Sequence, residues 1–273
     1  MKNYKGNGAV FDRAVFKERL NASLGREIDL PTTVYKTIGS TNDEAEAFAK
    51  ENPDTPPYSF FIADEQTQGH GRLGRSFSSS KGGLYMSLLL SGEFAPDFAF
   101  DLTALTGVAV CQAIERLTPL SPKIKWVNDV YLENKKVAGI LAKGRLGRNK
   151  AGKDVLTYAV VGIGINIKKT DFKGELKDIA ISLGDCIDPP PSREALAAEV
   201  ISGIISLINK DTPLLVANEY RSRSFLDGKH VKVIKGDETY EAKVLGITDR
   251  CELIIEKNGK AEILSSGEVS IRF

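Results

Sequence analysis

Nine residues, GHGRLGRSF from Gly69 to Phe77, combine three glycines with His70, Arg72 and Arg75. Glycine lets backbone N–H groups come close to a ligand, and arginine grips phosphate oxygens with a planar fork. With Lys81 nearby, this is a cationic loop that a bound polyanion would neutralise and close. A solvated surface loop is the plain alternative. Gly69, Gly71 and Gly74 also spell G-x-G-x-x-G, with Glu93 downstream. RSFSSSKGG follows, however, so a dinucleotide site lacks the helix whose N-terminus would hold a pyrophosphate. Gly69 to Ser76 approaches a P-loop too, with Arg75 where lysine belongs and again no helix.

Three further stretches carry polar groups at telling places. In KIKWVND, Lys123 and Lys125 share one face of a strand and Ile124 and Trp126 the other. Lys123 reads as snorkelling to water, whereas Lys125 stands at a strand mouth, where sites collect. In GIGIN, Gly162 to Asn166, alternate glycines point to something close against the backbone, or to a bulge. In GSTN, Ser40, Thr41 and Asn42 cap the helix that follows, and a cap also leaves groups able to hold a neutral polar ligand.

His70 and His230 are the only histidines, and neither sits beside an evident nucleophile. No pair of carboxylates stands out as an acid–base dyad. The groups available for chemistry are cations and backbone donors, which suits electrostatic stabilisation at a phosphorus centre.

The elements that must position these residues follow from periodicity. FDRAVFKERLNASLG reads as a short amphipathic helix after a loose stretch at 1–10, TTVYKTIGS as a strand, and STNDEAEAFAKEN as a capped helix. YSFFIAD is a strand, 65–83 a loop, LYMSLLLS a buried strand and DLTALTGVAVCQAIERL a long apolar helix. KIKWV, then VYLENKKVAGILAKGRL with a turn near Glu133–Lys135, then VLTYAVVGIGINI supply strands. Two helices, SREALAAEVISGIISLINK and PLLVANEYRSRS, come next. After Leu226 the pattern alternates apolar and polar, with turns at Gly236-Asp237, Thr248-Asp249 and Asn258-Gly259. That spacing fits a small barrel and sets a boundary near 225.

Composition narrows the classes. The net charge of +1 supplies no bulk field for wrapping nucleic acid, so an anion must be met by a local cluster. Cys111, Cys186 and Cys251 are odd in number and unpaired by motif, which argues against a disulfide framework or a zinc site and for a reducing compartment. The N-terminal stretch has no apolar core of a signal peptide, and no apolar run is of membrane-spanning length.

Taken in order, STN, EQTQGHGRLGRSF, GGLYMSLLL, KWVNDVYLENKKVAGIL and VVGIGINI resemble the biotin protein ligases. Each motif alone is weak, whereas five in order at family-like spacing are specific. The likeness runs from about residue 35 to the C-terminal GEVSIRF. It implies an α+β fold: a mixed α/β catalytic domain of the biotin/lipoate ligase type over 1–225 and a small SH3-like β-barrel over 226–273. It implies that biotin and MgATP give biotinyl-5′-AMP and pyrophosphate. One lysine of a biotin carboxyl carrier domain then attacks the mixed anhydride.

The resemblance also assigns residues. Lys125 and Arg72 are the catalytic cations, Lys125 beside the biotin carboxylate and Arg72 retaining the adenylate. Ser40, Thr41, Asn42, Gln66, Gly69, His70, Gly71, Gly162 and Gly164 complete the biotin side. Arg75, Asn128, Lys136 and Asn166 join Arg72 on the ATP side, and no residue is assigned to Mg²⁺. The family loop is commonly GRGRRGR followed by Trp, so His70 and Leu73 stand for two arginines and Phe77 for the Trp. Val127 replaces the usual Pro. About 35 residues precede TVYKTIGSTN, too few for the winged-helix domain of many members. The expectation is a cytoplasmic, monofunctional ligase without DNA or membrane partners, and compatible with a homodimer.

Three rivals remain at this level. A lipoate or octanoate ligase or transferase shares the catalytic fold but would need an apolar tunnel. A sensor that binds biotin or nucleotide without catalysis would be favoured by loss of Arg72 or Lys125, and both are present. A nucleic-acid-binding barrel would use Lys229, Lys232, Lys235 and Lys243, which Asp227, Asp237, Glu238 and Glu241 largely offset.

Overall fold

The structure, a computed structural model, describes residues 11–53, 55–209, 213–265 and 267–270. The loose stretch expected at 1–10 and the last residues of GEVSIRF lie outside them. Helix α1 (Arg13–Leu24) starts at Asp12, whose carboxylate accepts from the N–H groups of Ala14 and Val15. Strand β1 (Thr32–Ile38) leads into α2 (Thr41–Glu51), capped by Ser40, and then to β2 (Tyr58–Gln66). Because β1 and β2 pair in parallel, α2 is the crossover between them.

Strand β3 (Leu84–Phe94) and helix α3 (Phe98–Leu117) follow the glycine loop. Next come β4 (Lys123–Lys125), β5 (Asp129–Leu132), β6 (Lys135–Arg148) and β7 (Asp154–Ile165). The β5–β6 turn is made by Glu133 and Asn134, both left-handed at φ 48° and 63°, as a two-residue hairpin turn requires. The sheet order is β1-β2-β3-β7-β6-β5-β4, antiparallel after the first pair.

Two one-turn helices, α4 (Leu176–Ile179) and α5 (Leu183–Cys186), occupy a stretch in which periodicity reveals no element. Each is too short to repeat a 3.6-residue pattern. Helices α6 (Arg193–Asn209) and α7 (Pro213–Ser222) complete the main unit. The apolar α3 is long enough to cross a membrane, but here it is a core helix packed between α6 and the sheet. Helix α2 covers the opposite face, over Phe61, Leu89 and Val160.

Strands β8 (His230–Lys235), β9 (Glu238–Ile247), β10 (Leu253–Lys257), β11 (Lys260–Leu264) and β12 (Glu268–Ser270) form a second, wholly antiparallel sheet in the order β11-β10-β9-β8-β12. The turns expected at 236–237, 248–249 and 258–259 separate its strands. This is the SH3-like unit. Among the described residues it is an open sheet with β11 and β12 at its edges, not a fully closed barrel. It rests on the main unit, where the indole N–H of buried Trp126 donates to the Cys251 carbonyl at 2.9 Å.

Candidate active site

The start of α2 meets the middle of the sheet in a network of buried polar groups. Thr41 donates from its backbone N–H and its hydroxyl to Gln66 Oε1, at 2.8 and 3.0 Å. The Gln66 amide N–H donates to Ser79 Oγ at 2.9 Å. From β3, the fully buried Ser87 hydroxyl lies 2.8 Å from Thr41 Oγ1 and 2.6 Å from Asn42 Oδ1. Asn42 Nδ2 donates to the Leu141 carbonyl at 3.2 Å. Buried polar groups must be paired, so this network fixes the end of α2 against the sheet.

Gly162 makes that docking feasible. A Cβ there would stand 2.2 Å from Asn42 Oδ1. At Gly164 a Cβ would stand 2.4 Å from the Phe77 ring. Close approach to the GIGIN strand is thus real, and the approaching groups are Asn42 and Phe77.

The glycine loop is a tight hairpin laid over this floor. Gly71 N donates to Arg75 O at 2.7 Å, Phe77 N to Gly69 O at 2.7 Å, and a bridge links His70 to Ser76. Leu73, at the tip, is left-handed (φ 54°) and 73% exposed. His70 Nε2 stands 2.7 Å from Asp43 Oδ2, which ties the loop to α2.

These parts enclose two connected spaces. A small inner cleft takes in Ser40, Thr41, Asn42, Gln66, His70, Gly162 and Gly164. A larger outer cleft takes in Arg75, Lys125 and Asn166, with Tyr131, Leu176 and Ile179. Gly71, Arg72, Phe77, Asn128 and Lys136 line both, so they form the junction. Gly69 lies behind the lining. The outer cleft carries Arg72, Arg75, Lys125, Lys135 and Lys136 against Asp129, Glu133 and Asp178, a cationic excess suited to a polyphosphate.

Lys125 lines the outer cleft. Its Nζ donates to the Tyr131 hydroxyl at 3.3 Å and lies 5.4 Å from that ring's centre, on the outer wall. Burial raises the Tyr131 pKa well above its ordinary value, so the phenol stays neutral beside the lysine. Lys136 is the lysine that reaches the junction. Its Nζ pairs with Asp129 Oδ1 at 2.7 Å and lies 5.6 Å from the centre of the Phe77 ring. Strands β5 and β6 place it there through a register shift between Val130 and Tyr131.

Arg72 donates to Asn128 Oδ1 at 3.2 Å and to the Gly267 carbonyl at 2.9 Å. Asn166 belongs to the scaffold as well as the cleft, its Nδ2 donating to Ile181 O at 3.1 Å. Sequence reasoning missed Ser87, whose signal was a serine inside the apolar run LYMSLLL. It missed Phe77 as a lining residue, and Asp129 and Tyr131 altogether.

Known proteins match this architecture. Residues 34–166 fit the biotin/lipoate A/B protein ligase family, and residues 228–272 the biotin protein ligase C terminal domain. The bifunctional ligase/repressor BirA of Bacillus subtilis is 31% identical, over 87% of this chain and 73% of its own. The biotin--[acetyl-CoA-carboxylase] ligase of Mycobacterium tuberculosis is 28% identical over 94% of both chains. The structure of the Aquifex aeolicus biotin protein ligase in complex with biotin and ATP superposes with a TM-score of 0.71 at 27% identity, covering 89% of this chain and 98% of that one. By sequence and by fold, the chain belongs to the biotin/lipoate A/B protein ligase family, among its biotin protein ligases.

Proposed function

We propose that the chain activates biotin with ATP and passes it to one lysine of a biotin carboxyl carrier domain. The observation that carries this reading is the meeting of a small polar cleft and a large cationic one at Arg72 and Lys136. The ureido ring of biotin enters the inner cleft, where Thr41, Gln66 and Ser40 offer neutral donors and acceptors. Its carboxylate reaches the junction, and the triphosphate lies along the outer cleft. A cleft lined by so many polar groups does not favour the long alkyl chain of lipoate or octanoate.

In the first step a biotin carboxylate oxygen attacks the α-phosphorus of ATP, and the bond to the bridging oxygen of pyrophosphate breaks. Both partners are anions, so fixed cations must screen them as they meet. In this reading Lys136, which lines both clefts, takes the role that the resemblance gave to Lys125. Lys125 then serves the outer phosphates, with Arg75, and Asn128 and Asn166 frame the nucleotide side. In the second step the carrier amine attacks the acyl carbon and AMP departs. Arg72 holds the adenylate between the steps, away from water.

Mg²⁺ arrives with ATP as part of the substrate. Among the described residues no three His, Cys, Asp or Glu side chains stand together as a resident metal site. The division into catalytic and C-terminal units at 225/226 is part of the proposal, supported by the two separate sheets. A cytoplasmic setting without DNA or membrane partners accords with the three free thiols and the net charge of +1.

The test is pyrophosphate release from MgATP with biotin, lipoate and octanoate in parallel, without acceptor. Release with biotin alone, the adenylate staying on the enzyme, is expected. Release only with lipoate or octanoate would overturn the reading.

A further inference from the structure

Arg72 is gripped from two sides by different parts of the chain. Nη1 donates to Asn128 Oδ1 in the catalytic unit, at 3.2 Å. Nη2 donates to the backbone carbonyl of Gly267, at 2.9 Å and 195 residues away. Both acceptors are neutral carbonyl oxygens, so they orient the guanidinium without neutralising it.

Neither acceptor is free to follow a wandering arginine. Asn128 Nδ2 donates to the Ile140 carbonyl at 3.0 Å, and the Asn128 carbonyl accepts from Ile140 N at 2.9 Å. Its amide is thereby pinned to β6. Gly267 sits between β11 and β12 at φ +126°, a conformation that L side chains rarely adopt. A Cβ there would stand 3.2 Å from the Ile234 carbonyl on β8. Strand β12 is in turn paired to β8 through Val269 and Val233, both buried.

We infer that Asn128 and Gly267 are positioning residues for Arg72, and that the C-terminal unit sets through this carbonyl how firmly the adenylate is held. The inference rests on the proposed role of Arg72. It adds that the C-terminal sheet completes the catalytic centre from outside the catalytic unit. An arginine held at two points presents a fixed fork, whereas one held only at Asn128 can swing away from the anion.

The experiment uses the full chain and two readouts. The first compares wild type with Gly267→Ala for the pyrophosphate burst on mixing with biotin and MgATP, and for escape of the adenylate, read as biotin added to lysines of serum albumin. Gly267→Ala should leave the burst within about twofold and raise albumin labelling about tenfold, the scale of one hydrogen bond to a charged group. Added to Arg72→Gly, it should raise labelling no further, because the two changes remove one interaction. Wild-type retention in Gly267→Ala, or fully additive effects, would overturn the inference.

The second readout is amide exchange at residues 267–270 in Arg72→Gly, which leaves the C-terminal sequence untouched. Faster exchange than in wild type is expected, and unchanged exchange would show that no clasp exists. Faster exchange with the adenylate still held would spare the clasp and refute the role given to Arg72.

Discussion

The ammonium of Lys136 pairs with the Asp129 carboxylate at 2.7 Å across the β5–β6 hairpin, at the point where the two clefts join. Lys125, in the same motif, ends instead on the Tyr131 hydroxyl at the outer wall. The two lysines therefore predict different phenotypes. Lys136→Ala should slow biotin-dependent pyrophosphate release by about 10²–10³-fold, the usual consequence of losing one fixed transition-state donor. Lys125→Ala should mainly raise KM for MgATP. Steady-state kinetics of the half-reaction separate the two, and the reverse ranking would restore Lys125 to the junction.

Arg72→Gly should keep the first half-reaction while the adenylate escapes roughly ten- to a hundredfold faster, since hydrogen bonds to charged groups contribute about 1.5–3 kcal/mol. Labelling of lysines on unrelated proteins measures the escape. Wild-type retention would remove Arg72 from the adenylate's side.

Gly162→Ala would force a methyl group into the Asn42 amide, now 2.2 Å from that Cβ position. The expected loss is about 1–3 kcal/mol of stability, as for overpacking a filled interior. Biotin affinity should fall with it, because Asn42 shares Ser87 with Thr41. Thermal unfolding and biotin titration calorimetry check both, and a neutral effect would show that the α2 end can slide.

Burial pushes the Cys251 thiol up to about 12 and raises that of Cys111 further. Both should resist alkylation at pH 8 in the folded chain and react once it unfolds. The linkage has a definite sign. A folded pKa above the unfolded one stabilises fully below the unfolded value, and that stability is lost as pH climbs toward the folded one. For Cys251 the loss should fall between about pH 9 and 12. Denaturant midpoints across that range, for wild type and Cys251→Ala, test it.

Much of this architecture is legible in the residues themselves. The Ser40 cap, the Glu133–Asn134 turn and the alternation after Leu226 each follow from local chemistry and reappear in the fold. The position of Lys136 at the junction does not. Which face a strand residue takes flips with a single register step, and the step between Val130 and Tyr131 depends on tertiary packing. Alternate glycines at 162 and 164 announce a close approach, but they cannot say that Asn42 and Phe77 are what approaches. Residue type records the need for space, and only the folded chain records its occupant.

The site also has an order of assembly. Asp129 and Lys136 belong to one hairpin, so their pairing needs only a short loop to close. The grip on Arg72 spans 195 residues and closes a far longer loop. On the ribosome, where chains emerge N-terminal end first, the cations of the junction can be in place while the second hand on Arg72 is still unmade. The nascent enzyme would thus acquire the parts that form a reactive anhydride before it acquires the part that keeps hold of it.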